Sequence, residues 1–227
     1  MTLALVTGAS RGIGLATAHA LADRGCCLAL LGRESPRLRA AQTKLRSGGA
    51  TIDVFPCDLA DSGQVATAIE QLLDSLGTPD VLVNNAGVAV RATVAETTPE
   101  SFDNHIAVNL RAPFMLTRAV LPGMLRRGSG RIVNVASISS TLGSPLQSAY
   151  NASKWGLLGF MKSLAEELRD TGLMTVAILP GSVDTDMLRG SGFAPRMSAQ
   201  DVAHTLLHFA LDAPVAHNGG VIEMFGV

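Results

Sequence analysis

Short apolar runs alternate along the chain with longer stretches in which apolar residues recur at helical spacing. Leu3 to Thr7 reads as a first strand and Ile13 to Arg24 as a helix. Strands follow at Cys27 to Leu31, Thr51 to Phe55, Val81 to Asn84, Arg131 to Ala136, Met174 to Leu179 and Val221 to Phe225. Helices are predicted at Pro36 to Arg46, Gln64 to Leu76, Phe102 to Arg127, Ser148 to Arg169 and Ala199 to Leu211. Ser198, with Asp201 three residues on, is an N-cap arrangement for the last of these. Strand–helix alternation implies a parallel sheet covered on both faces. Strands such as Leu3-Ala4-Leu5-Val6 are apolar throughout, as burial on both sides requires. The expected fold is therefore α/β: a Rossmann-type doubly wound sheet of about seven strands. No linker or repeat interrupts it, so residues 1–227 are read as one domain. Its ligand crevice should open beyond the carboxyl ends of the strands.

Composition narrows the partners. Eighteen Lys and Arg against 19 Asp and Glu give a net charge of −1, with no basic patch of the kind nucleic acid demands. No apolar run reaches membrane-spanning length. Three cysteines, Cys26, Cys27 and Cys57, do not make a disulfide framework and favour a reducing, cytoplasmic setting. The N-terminus does not resemble a signal peptide.

Gly8, Gly12 and Gly14 lie between the first strand and the first helix. Glycine lets backbone turn tightly and approach a pyrophosphate, and a helix N-terminus offers unpaired N–H groups to it. The spacing differs from the usual G-x-G-x-x-G. At the end of the second strand an acidic residue would mark NAD; here Gly32 is followed by Arg33, with Glu34 beyond. Arg11 and Arg33 together suit a 2′-phosphate, so NADP(H) is the expected cofactor. Asp58, after the third strand, is a candidate for the adenine amino group or for capping the following turn.

Tyr150 and Lys154 share one face of a predicted helix. A nearby ammonium stabilises phenolate, so Lys154 is expected to lower the Tyr150 pKa. Ser137, at a strand end, is placed to hydrogen-bond a substrate oxygen. Pro113, four residues after Asn109, has no N–H to offer the Asn109 carbonyl, which is then free to hold a water near Lys154. Either motif alone is weak; together they suit proton transfer at a carbonyl beside a dinucleotide.

In this combination the chain resembles the short-chain dehydrogenase/reductase family, of compact single-domain type. Thr7 to Gly14, with Ser10 and Ile13, resembles its cofactor loop, and Asp58-Leu59 its adenine contact. Asn84-Asn85-Ala86-Gly87 resembles a motif that supports the central sheet. Asn109, Ser137, Tyr150 and Lys154 match its catalytic tetrad; Pro180-Gly181 with Val183 and Thr185 resembles its segment beside the nicotinamide. The resemblance implies an NADP(H)-dependent enzyme that interconverts a small-molecule carbonyl, of ketone or 3-oxoacyl type, and a secondary alcohol. It also implies a homodimer or homotetramer. The stretch from Met187 to Met197 is short for a substrate lid, and an open pocket is expected.

Other features are weaker. Leu157, Met161, Leu164 and Leu168 form a stripe that an interface would bury, as would the chain's own core. His204 and His208 have metal-compatible spacing without a third ligand, so no metal is expected. The competing reading is a sensor or scaffold that binds NADP(H) without turnover.

Overall fold

The computed structural model describes residues 1–226. Strands β1 (Leu3–Thr7), β2 (Cys27–Gly32), β3 (Ile52–Pro56), β4 (Val81–Asn84), β5 (Gly130–Val135), β6 (Leu173–Pro180) and β7 (Val221–Met224) form one sheet in the order β3-β2-β1-β4-β5-β6-β7. Every pairing is parallel. The chain starts at β1, winds outward to β3, then returns to lay β4 against the other side of β1. That reversal opens a crevice beyond Thr7 and Asn84.

Successive strand residues go to opposite faces. Ala4 and Val6 join one core, with Leu21 of α1 (Gly12–Asp23), Leu38 of α2 (Pro36–Ser47) and Leu206 of α7 (Ala199–Leu207). Leu5 joins the other, with Leu72 of α3 (Ser62–Leu76), Leu116 of α5 (Ala112–Arg127) and Leu164 of α6 (Ser148–Glu167). Two-sided burial is thus why the strands read as unbroken apolar runs. A polar seam crosses the middle strands: Asn84 Nδ2 donates to Asn134 Oδ1 at 3.0 Å, and Asn134 Nδ2 to Thr175 Oγ1 at 3.2 Å.

Helix starts follow local chemistry. Ser198 and Asp201 form the expected reciprocal cap on α7. Asp61 caps α3 by accepting from the Gly63 and Gln64 amides. The stretch predicted as one helix to Arg127 departs from expectation. It begins earlier, as α4 (Pro99–Ile106) capped by Thr98, and passes through a π turn at Ala107–Arg111 before α5. Pro113 cannot donate to the carbonyl four residues back, and the wider turn sits where that bond is lost. The predicted helix to Leu211 likewise ends in a π turn, His208–Asp212. Among the described residues no helix is long and apolar enough to cross a membrane.

Candidate active site

The glycine loop is fitted against the loop after β4. Gly8 has φ of +69°, and a Cβ there would stand 2.9 Å from Ala86 Cα. A Cβ on Gly14 would meet the Gly8 carbonyl oxygen and Asn85 Nδ2, each at 2.4 Å. Thr7, which sequence reasoning did not single out, ties the two loops together. Its hydroxyl accepts from the Asn85 and Ala86 amides, both at 3.0 Å, and donates to the Val83 carbonyl at 3.3 Å. Asn85 Nδ2 donates back to the Thr7 carbonyl at 2.8 Å. Arg11 precedes α1 and makes no side-chain cap, so no side chain takes the N–H groups of the first turn. The close backbone approach and the uncapped helix start fit a dinucleotide pyrophosphate.

Beyond β2 the surroundings are cationic. Arg33 is exposed, and Glu34, which also lines the cleft, pairs with Arg39. Arg11 and Arg37 both reach Asp186, at 2.8 and 3.0 Å, and Arg189 joins at 3.1 Å. Hydrogen bonds from Arg11 and Arg37 hold the Asp186 carboxyl below its usual pKa. Arg37 and Asp186 are additions to the sequence reading. Asp58 serves the local turn: its Oδ1 accepts from the Ala60 amide at 3.0 Å, and it is absent from the cleft wall that Cys57 and Leu59 help form.

A single cleft of about 870 Å³ runs from this rim to Tyr150. It is lined by all the other expected cofactor residues: Gly8, Ser10, Arg11, Gly12, Ile13, Gly14, Arg33, Leu59, Asn85, Ala86, Gly87, Tyr150, Lys154, Pro180, Gly181, Val183 and Thr185. Ser137 lines it as well.

Tyr150 and Lys154 project from α6. Lys154 is only 3% exposed, and its Nζ donates to the Val135 carbonyl at 2.8 Å, 5.8 Å from the Tyr150 ring centroid. Burial lowers its pKa from 10.5 to about 8. The Tyr150 phenol moves opposite to expectation. Burial pushes it above its usual 10, and the Ser137 hydroxyl pulls the other way. Within the protein alone, desolvation outweighs the Ser137 hydrogen bond. Ser137 Oγ accepts from the Ser139 amide at 3.1 Å, leaving its proton to donate.

Asn109 lies behind the cleft wall, fully buried. Its side chain is a bracket: Oδ1 accepts from the Val88 amide, and Nδ2 donates to the Val88 carbonyl and Ser153 Oγ, each at 2.9 Å. Ser153 Oγ in turn donates to the Tyr150 carbonyl at 2.7 Å. The π turn therefore joins the loop after β4 to the turn of α6 that carries Tyr150.

Residues 2–193 match the family model described as short chain dehydrogenase. The chain belongs to the short-chain dehydrogenase family. A 3-oxoacyl-[acyl-carrier-protein] reductase of Synechocystis sp. is 34% identical over 228 residues, covering 96% of this chain and 92% of its own. A 2-(R)-hydroxypropyl-CoM dehydrogenase of Xanthobacter autotrophicus is 40% identical over 205 residues, 88% of this chain and 82% of its own. Among solved structures, L-sorbose reductase of Gluconobacter frateurii, complexed with NADPH and L-sorbose, superposes with a TM-score of 0.91 at 27% identity, covering 99% of this chain and 95% of that one.

In this short-chain dehydrogenase the Met187–Met197 stretch forms part of the cleft wall. Its ends are pinned by Asp184 N to the Met197 carbonyl at 2.9 Å and Arg196 N to the Ser182 carbonyl at 2.8 Å. The stripe of Leu157, Met161, Leu164 and Leu168 is buried within the subunit, so these residues carry no argument for association. His204 and His208 belong to no metal-binding cluster among the described residues.

Proposed function

We propose that this oxidoreductase interconverts a carbonyl and a secondary alcohol with NADP(H), using Tyr150 as the acid/base. The observation that carries the reading is the convergence of Tyr150, Lys154 and Ser137 on the cleft that begins at the glycine loop. Bound there, the nicotinamide supplies or accepts hydride. In reduction the Tyr150 phenol donates its proton to the carbonyl oxygen, and the Ser137 hydroxyl holds that oxygen by a second hydrogen bond. A phenol, protonated at neutral pH, suits the donor role. In oxidation Tyr150 must act as phenolate; lowering its pKa by about three units takes roughly 4 kcal/mol. Lys154 contributes to this while charged, and a cationic ring beside the phenol adds to it. Asn109 fixes the height of α6 through Ser153 and Val88. Its backbone carbonyl remains our proposed water site for a proton path.

Arg11, Arg33 and Arg37 favour a 2′-phosphate over a bare ribose, because these cations outnumber Glu34, which is paired with Arg39, at the cleft rim beyond β2. NADPH in the related sorbose reductase supports the same choice. The relative from Synechocystis favours a 3-oxoacyl substrate. Cys26, Cys27 and Cys57 are all free, in keeping with a cytoplasmic setting.

The test is NADPH oxidation across ketones, aldehydes and 3-oxoacyl thioesters, repeated with NADH. Turnover preferring NADPH is expected. Tight NADPH binding with no turnover of any carbonyl would replace the enzyme by the sensor reading.

A further inference from the structure

One cation in the cleft has no task in the chemistry above. Arg91 lines the cleft, and its guanidinium lies 5.2 Å from the centroid of the Phe193 ring. It has no carboxylate partner among the described residues, whereas Arg11, Arg37 and Arg189 share Asp186. Its loop runs on from Gly87, where a Cβ would stand 3.7 Å from Lys154 Nζ, past Ala89, and so belongs to the Tyr150 end of the cleft.

Its position is braced. The next residue, Ala92, donates its amide to the Leu146 carbonyl at 3.1 Å and bridges to Gln147. Gln147 immediately precedes α6 and lies three residues before Tyr150. Leu146 holds φ of +61°, a left-handed conformation that a branched side chain adopts only where surroundings enforce it. Strained backbone is thus used to hold the Arg91 loop against the start of the helix that carries Tyr150. The Phe193 ring lies at cation–π distance over the guanidinium. Its in-plane N–H donors remain open, the geometry that pairs with carboxylate or phosphate.

We infer that Arg91 is the specificity residue for an anionic group on the substrate, beyond the carbonyl that Tyr150 protonates, with Phe193 as its cover. The inference rests on the reductase reading and names its substrate class. A carboxylate of an oxo acid and the phosphate of a pantetheine arm share the required chemistry.

Two matched pairs separate these sources: levulinate against its methyl ester, and acetoacetyl phosphopantetheine against acetoacetyl pantetheine. We expect the anionic member of one pair to be preferred in kcat/KM by at least about tenfold, as a charge-assisted hydrogen bond implies. Arg91→Gln should erase that preference mainly through KM, and Arg91→Lys should restore part of it. The preferred pair identifies the source. Equal kcat/KM within both pairs, or a preference that survives Arg91→Gln, overturns the inference. Absence of turnover with every substrate counts against the reductase reading instead. Calorimetric titration of the anionic members, with NADP⁺ present, then judges Arg91 separately: tighter binding to wild type than to Arg91→Gln supports it, and equal or absent binding overturns it.

Discussion

At the glycine-loop end of the cleft, fit is set by backbone: Gly8 and Gly14 leave no room for a Cβ, and Thr7 and Asn85 tie two loops through main-chain groups. At the Met187–Met197 end, fit is set by side chains. Met187 and Phe193 are about half exposed, and Asp186 holds arginines at the surface. Main-chain geometry changes little when a surface residue is exchanged, whereas a pocket wall of mobile side chains changes with each exchange. One end can thus keep a single ligand while the other is adapted to a new one.

The sharpest way to probe the divide is between the two ends. Tyr150→Phe should lower kcat about 10²- to 10⁴-fold while leaving NADPH affinity within about twofold. Near-normal turnover in single-turnover kinetics would remove Tyr150 from the mechanism.

Lys154 offers a test in stability. Its folded pKa of about 8 lies below its ordinary 10.5. Between those values the unfolded chain binds more protons, so the Lys154 contribution makes the fold more stable as pH rises. The burial penalty is complete below about pH 8 and gone above about pH 10.5. Lys154→Met should therefore stabilise the cofactor-free protein at neutral pH, by up to roughly 3 kcal/mol, with the advantage shrinking across that window. A difference between the two melting curves that is flat with pH would show that Lys154 is not desolvated.

Gly14→Ala attacks the backbone-defined end. The new methyl must displace the Gly8 carbonyl or the Asn85 amide, at a cost of about 1–3 kcal/mol. Thermal stability and affinity for NADPH and NADH should all fall. Loss of affinity for NADPH alone would mean that the loop does not hold the part common to both dinucleotides. Arg33→Gln should give the smallest change, a roughly fivefold loss of NADPH affinity with NADH little affected. Equal losses for both in fluorescence titration would move the 2′-phosphate away from Arg33.

The divide also governs what the sequence revealed. All seven strands and the glycine loop were legible, because an apolar run and a Gly-rich turn are local signals. The π turn was not, since Pro113 marks a lost hydrogen bond without saying how the helix absorbs it. The stripe on α6 read equally as interface or core until its neighbours were in place. Arg37 and Asp186 are 149 positions apart, and nothing local announces their contact. Asp58 had two local readings, and in the turn its Oδ1 accepts from the Ala60 amide. The long-range side-chain contacts were least legible, and they shape the substrate end.

The π turn at Ala107–Arg111 also limits how the chain can change in length. Each residue added to or taken from a helix rotates the remainder of that helix by about 100°. Deleting one residue here would instead let an ordinary helix close with Leu116, Val120 and Met124 still facing the core, because the wider turn holds one residue more than an α turn. The loss would fall on the turn itself, which presents Asn109 to Val88 and Ser153. The exposed stretch around Gly190 and Gly192 has no such phase to keep and can be lengthened or shortened one residue at a time. A change of length over the cleft mouth therefore costs little, whereas one in the helix beneath it is absorbed only by giving up the π turn and the Asn109 bracket.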